Sequence, residues 1–244
     1  MSDTPARQAF DDQAREDFLF APPPTPSVAI AGSAARFPVR RIFCVGRNYA
    51  AHAREMGQDP DREAPFFFTK PADAVVDSGA TIPYPPLTQN FHHEIELVIA
   101  IGRGGADIPE LDALGHVFGY AVGIDFTRRD LQFAARDKGR PWDWGKAFDH
   151  SAPCAPINDV ATVGHPDKGR IWIAVDGAVK QDADLAELIW SVPEIIAIAS
   201  QAVTLQPGDL IYTGTPAGVG PVERGQTLRG GIEGLGEIAI TIAP

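Results

Sequence analysis

A chain of 244 residues, 44% hydrophobic and 22% charged, has ordinary globular composition and the length of one large domain that builds its own core. A net charge of −11 argues against nucleic acid and anionic membrane as partners, and two cysteines without CxxC spacing argue against a disulfide framework and a structural zinc site. The 24 glycines and 22 prolines indicate many turns, hence many strands, and speak against a helical bundle.

The first 27 residues are polar and acidic, then stiffened by Pro22, Pro23, Pro24 and Pro26, so extended polyproline-like chain is expected there. They carry no apolar stretch of the kind that marks a secretory signal, and no segment of the sequence is apolar over the length of a membrane span, so a cytoplasmic protein is expected. Val28–Ala31 and Arg41–Val45 are short apolar runs bounded by Gly and Pro, and read as strands. Cys44 lies inside the second run, where a small buried hydrophobe is a simpler reading than a nucleophile. Asn48 as N-cap and Gly57 as C-cap frame a short helix, and the polar loop after it suggests a lid. On that helix His52 and Glu55 are three residues apart and share a face, so the carboxylate can orient the imidazole as a general base on water. Such spacing is also common by chance.

Phe66–Phe68 reads as an aromatic strand, and His92–Ile101 as the clearest strand of the chain. Alternation sends Ile95, Leu97, Ile99 and Ile101 to one face and Glu94 and Glu96 together to the other. Neighbouring carboxylates repel, and a divalent cation between them removes the conflict; oxygen ligands suit magnesium, manganese or calcium. A solvated strand face would carry the same pattern. His92 shares the glutamates' face, and His93 points to the core side.

Gly119–Ile124 is a further strand, leading into a helix expected from Asp125 to Asp137. Asp125 would cap that helix, with Arg129 and Gln132 projecting from the same face. Either a surface salt bridge or recognition of a carboxylate beside a metal would follow. Lys146 falls in a loop over 138–150 rich in Trp, Gly and charge. Ile171–Val175, Asp176-Gly177 and Val179 form a hairpin with a type I′ turn. Leu185–Trp190 and Pro193–Val203 are helical, the latter with Ile195, Ile198, Ala199 and Ala202 on one side. Strand Leu210–Thr213 leads into Thr-Gly-Thr-Pro-Ala-Gly-Val-Gly at 213–220, a Gly-rich loop that admits a ligand close to its backbone but lacks the P-loop Lys and any following helix. Thr227–Leu228 and Glu237–Ile242 close the chain as strands. The sum is an α+β protein in which strands dominate.

Six ordered segments, GRNYAAHAREMG, PFFFTKPADAVV, HEIELVIAIG, GYAVGIDFTRRDLQ, GKAFDHSAPCAP and TLQPGDLIYTGTPAGVG, resemble the fumarylacetoacetate hydrolase family over about residues 40–242. FPVRRIFCVGRNYAAHAREMG and NFHHEIELVIAIG look closest to its fumarylpyruvate hydrolase (acylpyruvase) branch. The resemblance implies a β-roll of mixed sheets with a few short helices, a homodimer, and two regions, an appendage over 1–39 and a catalytic domain over 40–244. It implies a metal triad of Glu94, Glu96 and Asp125, with Mg2+ or else Mn2+ or Ca2+. It implies a lid dyad of His52 and Glu55, substrate-side Arg129, Gln132 and Lys146, and a loop threonine at Thr215. Ile124 stands where the family has Asn before the metal aspartate. The activity implied is hydrolysis of a carbon–carbon bond in a small anionic 2,4-dioxo acid, fumarylpyruvate to fumarate and pyruvate, with the distal carboxylate on Arg47, Arg54, Arg128 or Arg140. Oxaloacetate decarboxylation and isomerisation with decarboxylation of a dienedioate are alternatives on the same fold; a small-ligand-binding protein using the 213–220 loop is the alternative without turnover.

Overall fold

The computed structural model describes residues 18–50 and 64–244. Among them the largest unit is an eight-stranded mixed sheet. In spatial order it runs Phe67–Lys70, Arg41–Val45, Asp209–Tyr212, Ile95–Ile101, Val117–Ile124, Ala152–Cys154 and Val75–Asp77, with Asn158–Asp159 pairing on Val117–Ile124. Strand Ile95–Ile101 lies at its centre and is buried along its whole length. Ile95, Leu97, Ile99 and Ile101 enter one hydrophobic cluster; Val98 and Ala100 enter a second on the opposite face. A strand covered on both sides needs apolar residues at every position. The face that a solvated strand would turn to water is therefore a second core, and Glu96 is an acid set into it.

A five-stranded sheet packs against the first cluster: Ala178–Asp184, Arg170–Val175, Thr227–Ile232, Gly236–Ile242 and Thr81–Ile82 in spatial order. Its approach is close at Gly230, where a Cβ would stand 2.9 Å from Ile95 Cδ1. The hairpin turn has φ of 47° at Asp176 and 83° at Gly177, both in the left-handed region that a type I′ turn requires. A small sheet, Thr127–Arg128, Phe91–His93 and Gly220–Pro221, joins the ends of both.

Residues before 40, expected as an appendage, include the hairpin of Ser27–Ala29 and Arg36–Pro38, whose Val28 and Phe37 lie inside the second cluster. Four local expectations change. The strand expected over His92–Ile101 is interrupted at Glu94, where Phe91–His93 turns to pair with Thr127–Arg128. The helix expected from Asp125 begins only at Arg129 and ends at Arg136; Asp125 and Phe126 form the corner between strands. Asn48, expected as a helix cap, directs its amide to Trp190 O and Thr213 O, and its carbonyl accepts from Trp190 N. Helix Val192–Ala202 buries Val192, Ile195, Ile196, Ala199 and Ser200, so Ile196 replaces Ile198 in the inward stripe, and a Ser191/Glu194 capping box fixes its start. The rest of the expected lid helix, with His52 and Glu55, lies outside the described residues. Among the described residues no helix is long and apolar enough to cross a membrane.

Candidate active site

The site grows from the antiparallel pair Ile95–Ile101 and Val117–Ile124. Register places Glu96 opposite Gly123 and Ile95 opposite Ile124, so the residues just beyond the pair, Glu94 and Asp125, meet at its end. Asp125 N–H donates to Glu94 O at 2.8 Å and fixes that corner. Carboxylate oxygens of Glu94, Glu96 and Asp125 lie within 4.8 Å of one another, and all three residues are buried. Glu96 is held well above the usual carboxylate range, first by burial and then by the charges of Asp125 and Glu94.

Three cations answer the three acids. Lys146 Nζ stands 2.8 Å from Glu94 Oε2 and 2.6 Å from Asp125 Oδ2. Burial pulls the Lys146 ammonium down, but Asp125 and Glu94 outweigh it and keep its pKa above the ordinary lysine value. The residue expected on a flexible loop is thus buried, at the end of the short helix Asp143–Lys146. Arg129 reaches Glu94 Oε1 with one nitrogen and Gln132 Oε1 with another, so the predicted pair do meet, one turn apart on helix Arg129–Arg136. Lys70 Nζ stands 2.8 Å from Asp125 Oδ1. Glu96 Oε2 accepts from Gly214 N–H at 2.8 Å, which brings the Gly-rich loop onto the triad. Gly214 has φ of 97°, and a Cβ there would meet Asn48 Cβ at 2.7 Å, so only glycine lets the loop approach this closely.

Thr215 is buried beside the triad with its hydroxyl fully engaged: it donates to Ile95 O at 2.8 Å and accepts from Gln181 Nε2 at 2.8 Å. His92 stays at the margin, bonded to Asn90 and to Arg129 Nε; burial and the neighbouring Arg129 charge push it down to about 4, so its imidazole is neutral. Beside Lys146 a cavity of about 430 Å³ opens between Phe66, Phe68, Thr69, Pro141 and Trp142. Phe66 packs edge-on against Trp142, and Arg47 lies with Cζ 5.0 Å over the Phe66 ring. Arg128 stacks on Phe148 at 4.2 Å instead, and Arg140 lines a separate groove with Leu87 and Trp144. Arg54 lies outside the described residues.

Reasoning from the sequence missed Lys70 and Gln181, and made Asn48 a helix cap where it instead bonds Trp190 and Thr213. The Lys-Pro after the aromatic strand was the only local signal for Lys70, and Gln181 sits in a hairpin strand whose neighbours are exposed.

The arrangement is a set of buried hard oxygen ligands with buried cations against them beside a cavity, suited to a small anionic substrate on a divalent ion. The family model described as Fumarylacetoacetate (FAA) hydrolase C-terminal matches residues 41–243. The chain belongs to the fumarylacetoacetate hydrolase family. It is 49% identical over 191 residues to the fumarylpyruvate hydrolase of Ralstonia sp, covering 78% of this chain and 99% of that protein. It is 40% identical over 196 residues to the mitochondrial oxaloacetate tautomerase FAHD1 of Homo sapiens, covering 80% of this chain and 88% of that one. Its fold superimposes with a TM-score of 0.90 and 56% identity on the crystal structure of fumarylpyruvate hydrolase from Pseudomonas aeruginosa in complex with Mn2+ and pyruvate, covering 93% of this chain and 99% of the other.

Proposed function

We propose that this chain is a metal-dependent hydrolase of acylpyruvates that cleaves fumarylpyruvate to fumarate and pyruvate. The observation that carries the reading is the buried triad of Glu94, Glu96 and Asp125 with Lys146 and Arg129 against it, in a chain 49–56% identical to proteins named fumarylpyruvate hydrolase. Three acids buried this closely fit a divalent cation, because burial and mutual repulsion already disfavour the charged form of Glu96. Glu94, Glu96 and Asp125 would hold that cation, Mg2+ or Mn2+, whose Lewis acidity stabilises negative charge developing on the 2-oxo acid as the carbon–carbon bond breaks.

The chain's own residues do the rest. Arg129 and Gln132, already bonded to each other, form a paired donor surface for the substrate carboxylate. Lys146 carries a full ammonium at the base of the cavity and supplies a donor to the oxygen at C4 as it becomes an oxyanion. His52, oriented by Glu55, takes a proton from water, and the oxygen of that water attacks C4. The C3–C4 bond then breaks, its electrons pass to the pyruvate half, and the proton held by His52 returns to C3. Arg47, resting on Phe66 at the cavity wall, receives the distal carboxylate of the fumaryl group, an assignment favoured over Arg128 and Arg140 by their positions. A cytoplasmic homodimer is part of this proposal.

The test is steady-state cleavage of fumarylpyruvate with magnesium. Glu96→Gln and Glu94→Gln should each lower kcat/KM by about a hundred- to a thousandfold, as expected when electrostatic stabilisation of this kind is lost. His52→Ala should lose turnover while still binding metal. Unchanged rates would remove those residues from the reaction. Similarity to oxaloacetate tautomerases at 38–42% identity supports a second reading on the same site, keto–enol interconversion of oxaloacetate. A substrate panel separates the two, since only hydrolysis releases pyruvate together with a second acid.

A further inference from the structure

We infer that Lys70 fixes Asp125 as a one-oxygen ligand and so sets the triad's preference for a small six-coordinate cation, magnesium or manganese, over calcium. The inference rests on the metal-dependent reading above.

Lys70 ends strand Phe67–Lys70, and its side chain is fully buried. The ammonium donates to Phe126 O at 3.0 Å and to Lys146 O, and stands 2.8 Å from Asp125 Oδ1. Two backbone carbonyls and a strand therefore anchor it. The contact with Oδ1 is an ion pair off the hydrogen-bond axis, and Oδ1 takes no hydrogen bond among the described residues. Lys146 differs in kind. It bridges Glu94 Oε2 and Asp125 Oδ2 from a four-residue helix beside an open cavity, so it has room to withdraw when a cation arrives. Lys70 has none. Of the two Asp125 oxygens, Oδ1 stays covered and Oδ2 is the one that can be given to a metal.

The other two acids follow the same plan. Glu94 turns Oε1 to Arg129, and Glu96 Oε2 accepts from Gly214 N–H. Each carboxylate thus has one oxygen committed to a protein donor. Calcium reaches its six to eight ligands by taking carboxylates through both oxygens, whereas magnesium demands a near-ideal octahedron of single-oxygen contacts. Committing the outer oxygens blocks the first mode and preserves the second. At Asp125 the commitment depends on one side chain, which makes Lys70 a positioning residue.

Positioning and plain charge predict different results. Removing a cation beside three acids strengthens the pull on every dication alike, and leaves their ratio unchanged. Releasing Oδ1 favours calcium selectively. The experiment is calorimetric titration of MgCl2, MnCl2 and CaCl2 into the full-length protein and into Lys70→Met, with circular dichroism as the check on folding. The calcium-to-magnesium affinity ratio should rise about tenfold in the variant, the lower end of what loss of an outer partner does to a metal site. A ratio that stays the same, even with both affinities increased, overturns the inference. Should Lys70→Met not fold, infrared carboxylate bands of the calcium-loaded wild-type protein decide: one-oxygen splittings support it, and a two-oxygen signature overturns it. If the wild-type protein binds none of the three cations, the metal-dependent reading itself fails, and this one with it.

Discussion

Gln181 shows how a single side chain outside the reacting groups shapes the site. It is buried, and all four of its hydrogen-bonding positions are used: Oε1 accepts from Ile95 N–H at 3.1 Å and faces His93 Nδ1 at 3.0 Å, while Nε2 donates to Thr215 Oγ1 at 2.8 Å and Pro216 O at 2.7 Å. It therefore ties the Gly-rich loop to the strand that carries Glu96 and begins just after Glu94. Gln181→Met keeps the volume but leaves a buried amide and a buried carbonyl without partners. Each such group costs about 1–3 kcal/mol, so urea unfolding should show a loss of about 3 kcal/mol in the variant; a change within error would mean the loop does not depend on this amide. Local signals singled out the acids separately, since alternation paired Glu94 with Glu96 and Asp125 ended the next apolar run; that the three belong together was implied by the family resemblance, because their meeting depends on the pairing of two distant strands. Lys70 and Gln181 were not legible, since their partners lie 56 and 34 residues away and nothing nearby marks either as buried. Cys44 was read correctly as a core residue; burial pushes its thiol well up, and Cys154 is raised to about 12 for the same reason.

Elements constrain the site through the close fit between strands. The strand types were readable because runs such as Ile-Glu-Leu-Val-Ile-Ala-Ile have one strong period and clear glycine and proline limits. Their ends were not, because tertiary pairing decides them. Phe91–His93 leaves the register of Ile95–Ile101 to pair with Thr127–Arg128, and that same pairing uses residues that local preference would have given to a helix beginning at Asp125. The result suits the chemistry, since Asp125 at a corner can face Glu94, whereas Asp125 as a helix cap would turn its carboxylate to the helix amides. Gly123 is a position where this packing leaves no room for a side chain. A Cβ there would stand 2.4 Å from Val98 Cγ2 and 2.6 Å from Tyr212 Cε1. Tyr212 cannot rotate away, because its hydroxyl donates to the carbonyls of Ala152 and Pro153 at 3.1 Å each. Gly123→Ala should therefore cost about 1–3 kcal/mol, the range for overpacking a core, and should lower activity more than stability alone requires, because Gly123 lies directly opposite Glu96. Thermal unfolding and kcat on the same preparation check this; a stable variant with full kcat would show that the strand pair yields without moving the carboxylate.

At the scale of the whole molecule, the fold holds an electrostatic load at its centre. Glu94, Glu96 and Asp125 are all buried, and burial raises the pKa of Glu96, so the native state bears a cost that an extended chain does not. Lys70, Lys146 and Arg129 offset part of it. A divalent cation bound only by the folded chain offsets more, and its effect on stability follows from mass action alone. At a free magnesium concentration of one hundred times Kd the gain is about 2.7 kcal/mol. For a chain of this size each kcal/mol moves Tm by about 2–4 °C, so magnesium should raise Tm by about 5–10 °C, and a chelator should reverse the rise. Glu96→Gln should behave in the opposite sense on both counts. Replacing a buried acid by a neutral amide removes repulsion from Asp125 and Glu94, so the variant should melt no lower than the wild-type protein without metal, and it should lose most of the magnesium-dependent shift. Differential scanning calorimetry of both proteins, with magnesium and with chelator, measures all four values. A wild-type Tm indifferent to magnesium and manganese would show that the buried acids are satisfied by the three side-chain cations alone, and a Glu96→Gln variant that keeps the full shift would place the cation away from the triad.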